Sequence, residues 1–178
     1  VVPCDNYTHL DLYELPIAPS PNLPNMESIY LYPSLCLFEG TQVSVGRGTD
    51  TPFQLIGYPG YEAGKMSFTP KSIPGVSKYP KHEGKECRGH DLRKFGGFYF
   101  TTGRQIYLDW LIGMYASYPD KGDFFISKNF IDKLAGTDEL RNQIIAGEDA
   151  ASIRASWKPG LVDYKDLRRR YLLYPDFE

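Results

Sequence analysis

Leu37-Phe-Glu-Gly-Thr-Gln-Val-Ser-Val-Gly-Arg-Gly-Thr-Asp-Thr-Pro-Phe53 is the stretch around which the chain reads. It sets an acid (Glu39), a base (Arg47), four hydroxyls (Thr41, Ser44, Thr49, Thr51) and three glycines (Gly40, Gly46, Gly48) between two apolar runs. Glycine lets a backbone turn through positive φ and approach a ligand closely. Arginine offers a planar fork matched to a carboxylate or phosphate. Two readings stay open: a polar pocket, or a tight turn with Glu39 paired to a solvated Arg47.

The apolar flanks decide the fold. Upstream, Ser34-Leu-Cys-Leu-Phe38 reads as buried, and Asn25 caps a short helix over 25–32 that Pro33 ends. Residues 1–24 carry Pro3, Pro16, Pro19, Pro21 and Pro24, so they read as an extended arm or linker, with a short strand near Tyr13–Ile17. Downstream, Pro52-Phe-Gln-Leu-Ile-Gly57, Met66-Ser-Phe-Thr69 and Glu86-Cys-Arg-Gly-His-Asp-Leu92 read as strands. Between them, residues 58–85 are rich in Gly, Pro and Lys, and read as a functional loop, a lid or disorder.

From Thr101 onward the period becomes helical. Thr101 or Thr102 caps a helix to Tyr118, with Ile106, Trp110, Met114 and Tyr118 four apart and Tyr107, Leu111 and Tyr115 beside them. Further helices are expected over 126–134 (closed by Gly136), from Thr137 to Gly147, from Asp149 through Trp157, and from Pro159 onward. Arg168-Arg-Arg170 reads as a solvated helix end, and Tyr171-Leu-Leu-Tyr174 as a strand or tail docking back. The fold class is α+β: a mixed β-sheet in the N-terminal half packed against a C-terminal group of helices. Residues 25–178 form a single domain, expected to be the C-terminal domain of a longer two-domain protein, since the opening Val-Val-Pro-Cys reads as the middle of a chain.

Composition narrows the function. The 178 residues carry a net charge of −2, which gives no pull toward nucleic acid or anionic lipid. No apolar run approaches the ~20 residues of a membrane span. The 14 Tyr and 10 Phe suit a sugar- or protein-contacting surface or an aromatic core. Cys4, Cys36 and Cys87 form no CxxC, and their odd number argues against a full disulfide framework. His9, His82 and His90 show no metal-ligand spacing, so neither metal nor cofactor is expected; His9 and His82 read as solvated. His90 beside Asp91 invites an acid/base reading, although strand neighbours point to opposite faces.

Several phrases recur together as one family's signature. They are Ala18-Pro-Ser-Pro-Asn-Leu-Pro24, Tyr32-Pro-Ser-Leu-Cys-Leu-Phe-Glu-Gly-Thr41, Ser44-Val-Gly-Arg-Gly-Thr-Asp50, Pro52-Phe-Gln-Leu-Ile-Gly57, Asp132-Lys-Leu-Ala-Gly-Thr137, Leu140-Arg-Asn-Gln-Ile144, Ile153-Arg-Ala-Ser-Trp157 and Tyr171-Leu-Leu-Tyr174. Through them nearly the whole chain resembles the C-terminal part of the DUF1343 family, the NamZ-type exo-β-N-acetylmuramidases of bacterial cell-wall turnover. The resemblance implies a partner domain, Rossmann-like and N-terminal, with the active site in the cleft between the two. It implies release of N-acetylmuramic acid from the non-reducing end of peptidoglycan fragments, in a periplasmic or other extracytoplasmic setting. The family's Glu-His-Gly motif belongs to the N-terminal domain and has no counterpart here, so this chain alone is expected to be inactive.

Glycoside hydrolysis commonly uses two carboxyl groups. Glu39 is the carboxylate this chain would contribute. Arg47 suits the lactyl carboxylate that distinguishes muramic acid from glucosamine. Thr41, Ser44, Thr49, Asp50 and His90 are candidates for hydroxyl or acetamido contacts, and Tyr58 or Tyr61 for stacking on the sugar ring. A non-catalytic carbohydrate-binding or protein-docking module is the alternative. A phosphate cradle at Val45-Gly-Arg-Gly-Thr49 is a third reading, without the GxxxxGK[ST] motif to support it.

Overall fold

The computed structural model describes residues 1–98, 103–126 and 128–176. Its fold is α+β, as expected. Helix α1 (Met26–Leu35) starts where the sequence placed it: Asn25 accepts from the Ser28 amide at 3.0 Å, and Ser28 answers with a reciprocal capping bond. Pro33 does not end it. The helix runs on to Leu35 because Leu31, Ser34 and Leu35 are buried, and that packing outweighs the one bond proline removes. A 3₁₀ turn, Cys36–Gly40, follows directly and buries Leu37 and Phe38.

The three expected strands form, as β1 (Leu55–Tyr58), β2 (Met66–Phe68) and β3 (Cys87–Asp91). Their order is β1-β3-β2, with Ile56 opposite His90 and Phe68 opposite Cys87. Both pairings are antiparallel, so within the expected α+β fold the sheet is antiparallel rather than mixed. No helix links these strands, as a parallel pair would require. No strand forms at Tyr13–Ile17: Tyr13 and Ile17 are exposed, and the Leu15 amide donates to the Met26 sulfur rather than to a neighbouring strand.

The helices are α2 (Gly96–Phe98), α3 (Asp109–Ser117), α4 (Phe130–Ala135), α5 (Glu139–Ala146) and α6 (Ala150–Arg168). The cap expected at Thr101 or Thr102 lies outside the described residues; α3 itself begins only at Asp109, after Ile106 and Tyr107. Helix α4 begins at Phe130 rather than Ile126. The preceding backbone is spent on the Leu37–Phe53 stretch, with a bridge from Phe125 to Thr41 and the Ile126 amide donating to the Gly40 carbonyl at 3.0 Å. Helices α4 and α5 close at Gly136 and Gly147, both left-handed, as read from the sequence. Asp149 caps α6, but Pro159 opens no fifth helix: α6 passes through it. The neighbouring turn is exposed, so the carbonyl that proline leaves unpaired faces water.

One main core joins the elements. Leu31 and Leu35 of α1, Phe38 of the 3₁₀ turn, Ile56 of β1, Leu111 of α3 and Ile153 of α6 all meet in it. Gly40 is set against α4 so closely that a Cβ would lie 2.6 Å from the Ile131 nitrogen. The turn bearing Glu39 is therefore pressed onto α4 with no side chain between them.

Candidate functional site

The Leu37–Phe53 stretch is tied down along its length. Ser44 and Gly57 exchange backbone bonds of 2.8 and 3.1 Å, which hangs the stretch on the edge of β1. The Gln42 amide donates to Phe124 at 2.8 Å. Gly48 (φ +83°) lies under the returning loop: the Lys71 amide donates to its carbonyl at 2.8 Å, and a Cβ would meet the Lys71 carbonyl at 2.6 Å. Only glycine suits both the positive φ and that approach.

Between this stretch and the loop over 77–81 lies a cleft of about 360 Å³. Glu39, Ser44 and Arg47 line one side, and Ser77, Lys78, Tyr79 and Lys81 the other. Glu39 and Arg47 form an ion pair at 3.4 Å through Arg47 Nη1, with the two side chains 29% and 39% exposed. Arg47 Nε is buried and has no hydrogen-bond acceptor. The guanidinium therefore bonds Glu39 through Nη1, while its Nε is closed off from solvent; what the cleft meets is the part-exposed remainder of the head group.

Lys81 was not legible in the sequence. Its Nζ reaches under the 3₁₀ turn and donates to the carbonyls of Phe38 (3.0 Å), Glu39 (3.2 Å) and Thr41. Burial pushes its pKa down to about 8; the Glu39 charge opposes that shift and the Arg47 charge adds to it. The next residue, His82, donates from Nε2 to the Gln42 carbonyl at 2.6 Å. His82 is thus half-buried and bonded rather than solvated, and burial lowers its pKa. The Pro80-flanked Lys81 gave no periodic or motif signal, because its partners are main-chain atoms about forty residues upstream.

The other expected site residues divide by burial. Thr41 is buried, donates to Phe38 at 2.9 Å and accepts from Val43. Ser44 lines the cleft but accepts from the Gly46 amide at 3.2 Å. Thr49 donates to the Gly46 carbonyl at 2.6 Å, and Asp50 is exposed on the outside of the turn. Tyr58 is only 2% exposed, with its hydroxyl on the Ser117 carbonyl at 3.0 Å, so it presents no ring face for stacking. Tyr61 is also buried and shares a 3.0 Å hydrogen bond with His90, away from the residues lining the cleft. Asp91 turns the other way and pairs with Arg93, as strand alternation requires. In the Val45–Thr49 turn the Gly46 and Thr49 amides are bonded internally, and the Thr51 amide just beyond is held by Thr49, so none of these three is offered to a phosphate.

Among the described residues no three His, Cys, Asp or Glu side chains gather as a metal site, and no helix is long and apolar enough to cross a membrane. All three cysteines are free, and burial pushes the Cys87 thiol up to about 11.

Comparison with known proteins adds the lineage. Residues 30–174 match the family described as exo-beta-N-acetylmuramidase NamZ, C-terminal. The chain is 33% identical over 174 residues to peptidoglycan beta-N-acetylmuramidase NamZ of Bacillus subtilis (strain 168), covering 89% of this chain and 40% of that protein. A solved DUF1343 family protein from Bacteroides fragilis NCTC 9343 superposes with a TM-score of 0.91 at 47% identity, over 98% of this chain and 48% of that one. A second from the same organism, at 20% identity and a TM-score of 0.63 over 89% of this chain and 45% of its own, speaks to the fold alone. The chain thus spans less than half the length of these relatives. With the family matched from Tyr30 to Tyr174 and the signature phrases falling on α1, the clamped stretch and α4–α6, the chain belongs to the C-terminal family of NamZ exo-β-N-acetylmuramidases.

Proposed function

We propose that this chain is the C-terminal domain of a longer exo-β-N-acetylmuramidase and forms one wall of its substrate cleft. The observation that carries the reading is Arg47: it lines the 360 Å³ cleft, its side chain is 39% exposed, and it pairs with Glu39 through Nη1 only. A guanidinium held by a single 3.4 Å contact has donors left for a second carboxylate. N-acetylmuramic acid carries one on its lactyl ether; N-acetylglucosamine does not. Glu39, held beside Arg47, is the acid this domain contributes, as a supporting carboxylate or as an acceptor for sugar hydroxyls. An upstream Rossmann-like domain supplies the opposite wall and the other carboxylate, so the isolated chain is inactive.

Release of product from a chromogenic N-acetylmuramic acid β-glycoside tests this. Turnover is expected from a longer protein that includes the upstream half, and none from this chain alone. Turnover by this chain alone overturns the shared cleft. Binding of the sugar without turnover by either protein supports the non-catalytic module instead. In the longer protein, Arg47→Ala is expected to weaken binding of N-acetylmuramic acid far more than of N-acetylglucosamine, by about 2–3 kcal/mol for a lost charged hydrogen-bond pair. An equal loss for both sugars removes the carboxylate role.

A further inference from the structure

Helix α6 carries one apolar stripe along its whole length. Ala150, Ile153, Trp157, Leu161, Tyr164 and Leu167 recur three or four residues apart, the spacing that keeps side chains on one face. The first half of the stripe is covered: Ala150 and Ile153 are buried, and Trp157 packs on the main core. Beyond Pro159 the same face is bare. Leu161 is 47% exposed, Tyr164 57%, Leu167 47%, and Tyr171, just past the helix, 75%. The domain's own core stops and the helix does not.

The neighbouring termini reinforce this edge. Arg168 pairs with Asp176, which folds the tail back along the end of α6. The Cys4 amide donates to the Tyr174 hydroxyl at 2.6 Å, and the Tyr7 and His9 rings meet the Tyr174 ring edge-on at 5.0 and 5.8 Å. The N-terminal arm therefore starts beside the tail that follows α6, and along the arm Leu10, Leu12, Tyr13 and Ile17 are exposed as well.

We infer that the second half of α6, from Leu161 to Tyr171, is the docking face for the segment that precedes this domain in its longer relatives. Two arguments choose that occupant over a second copy. The relatives are more than twice as long as the part this chain covers, and the matched family is the C-terminal one, so the remaining chain lies upstream and would enter at the arm. The stripe is also small. Four half-exposed side chains offer roughly 500 Å², short of the ~800 Å² per partner of a stable independent complex. A tethered partner needs less, because the linker supplies a millimolar effective concentration. The inference rests on this chain being part of a longer protein, and not on the sugar proposed for the cleft.

Hydrogen exchange followed by mass spectrometry reads the face without any substrate. Peptides covering 160–171 are expected to exchange at least about tenfold more slowly in the longer protein than in this chain alone. A Leu161→Asp/Leu167→Asp double variant is expected to lose that protection in the longer protein and to leave the melting temperature of this chain unchanged. Equal exchange at the two lengths overturns the inference. So does a concentration-dependent dimer of this chain in light scattering that the double variant abolishes, since the occupant is then a second copy. Loss of muramidase activity with protection intact would count against the proposed function alone.

Discussion

Replacing Lys81 with methionine separates two opposed effects at the floor of the cleft. The ammonium makes hydrogen bonds to three carbonyls, but it is part-buried, and desolvation lowers its pKa from 10.5 to about 8. That gap places roughly 3 kcal/mol of penalty on the charged form in the folded chain. Below pH 8 folded and unfolded chains are both protonated and the penalty is fully present. Between pH 8 and 10.5 the unfolded chain binds more protons, so the stability of the wild type rises with pH; above 10.5 both forms are neutral and the penalty is gone. Methionine fills similar volume and does not titrate. It leaves the Glu39 and Thr41 carbonyls without this donor, at about 1–3 kcal/mol each, while the Phe38 carbonyl keeps the Thr41 amide and hydroxyl. At pH 7 the gain and the loss largely offset, and Lys81→Met is expected to cost no more than about 3 kcal/mol. By pH 10 the wild type sheds most of its penalty, so its advantage over the variant widens by about 2–3 kcal/mol. Urea unfolding of both proteins from pH 7 to 10, followed by tryptophan fluorescence, measures the difference, and other titrating groups cancel between them. A gap that stays flat or narrows with pH would refute the reasoning, because the carbonyls would then hold the ammonium more strongly than burial opposes it.

Gly40→Ala is expected to destabilise by about 1–3 kcal/mol, because its Cβ would lie 2.6 Å from the Ile131 backbone; Gly113→Ala, in open space on α3, is expected to gain about 0.5–1 kcal/mol, and urea midpoints compare them. Pro159→Ala is expected to raise stability by up to about 3 kcal/mol with no gain in helical circular dichroism, since α6 already passes through that position; a rise in helicity would contradict the continuous helix. In an NMR titration His82 and His90 are expected to take up protons below the ordinary 6.5, as burial lowers both; the stability they contribute is fully present above 6.5 and is lost as pH falls below it. A normal titration of His82 would mean that its loop does not close on Gln42.

The elements written in local chemistry were legible. Asn25, Asp149 and Gly147 punctuate helices through bonds within a few residues and Gly136 through its left-handed backbone, and all four act where the sequence placed them. The three strands were readable for the same reason, each being a short apolar run between turn residues. Proline misled twice. Its local cost is real, but at Pro33 buried Leu35 outweighs it and at Pro159 the freed carbonyl lies on an exposed turn, and neither compensation is visible in a pattern of residue types. At the site, Glu39 and Arg47 were legible as an acid and a base eight residues apart in a glycine-rich stretch. Tyr58 shows where that reading runs out: aromatic composition does not separate a stacking platform from a core ring whose hydroxyl bonds the end of α3. Lys81 and His82 were illegible because their partners are backbone carbonyls, which every residue carries.

Those two residues also set how the cleft acts. Glu39 and Arg47 face each other across a turn held by Lys81 at its carbonyls, by His82 at Gln42, by Gly57 at Ser44 and by Lys71 at Gly48. Each tie is made by the protein to itself, so the pair is positioned before any ligand arrives and little ordering remains to be met on binding. The ties also couple the pair. Loosening the turn at Lys81 is expected to move Glu39 through its carbonyl and Arg47 through the ion pair the two side chains share. A Lys81 variant should therefore weaken a ligand held by both side chains, and adding Arg47→Ala to it should cost less than Arg47→Ala costs in the intact turn. That non-additivity is expected of a cleft built as one clamped unit, and full additivity would mean that Arg47 recognises its ligand independently of the turn that Lys81 closes.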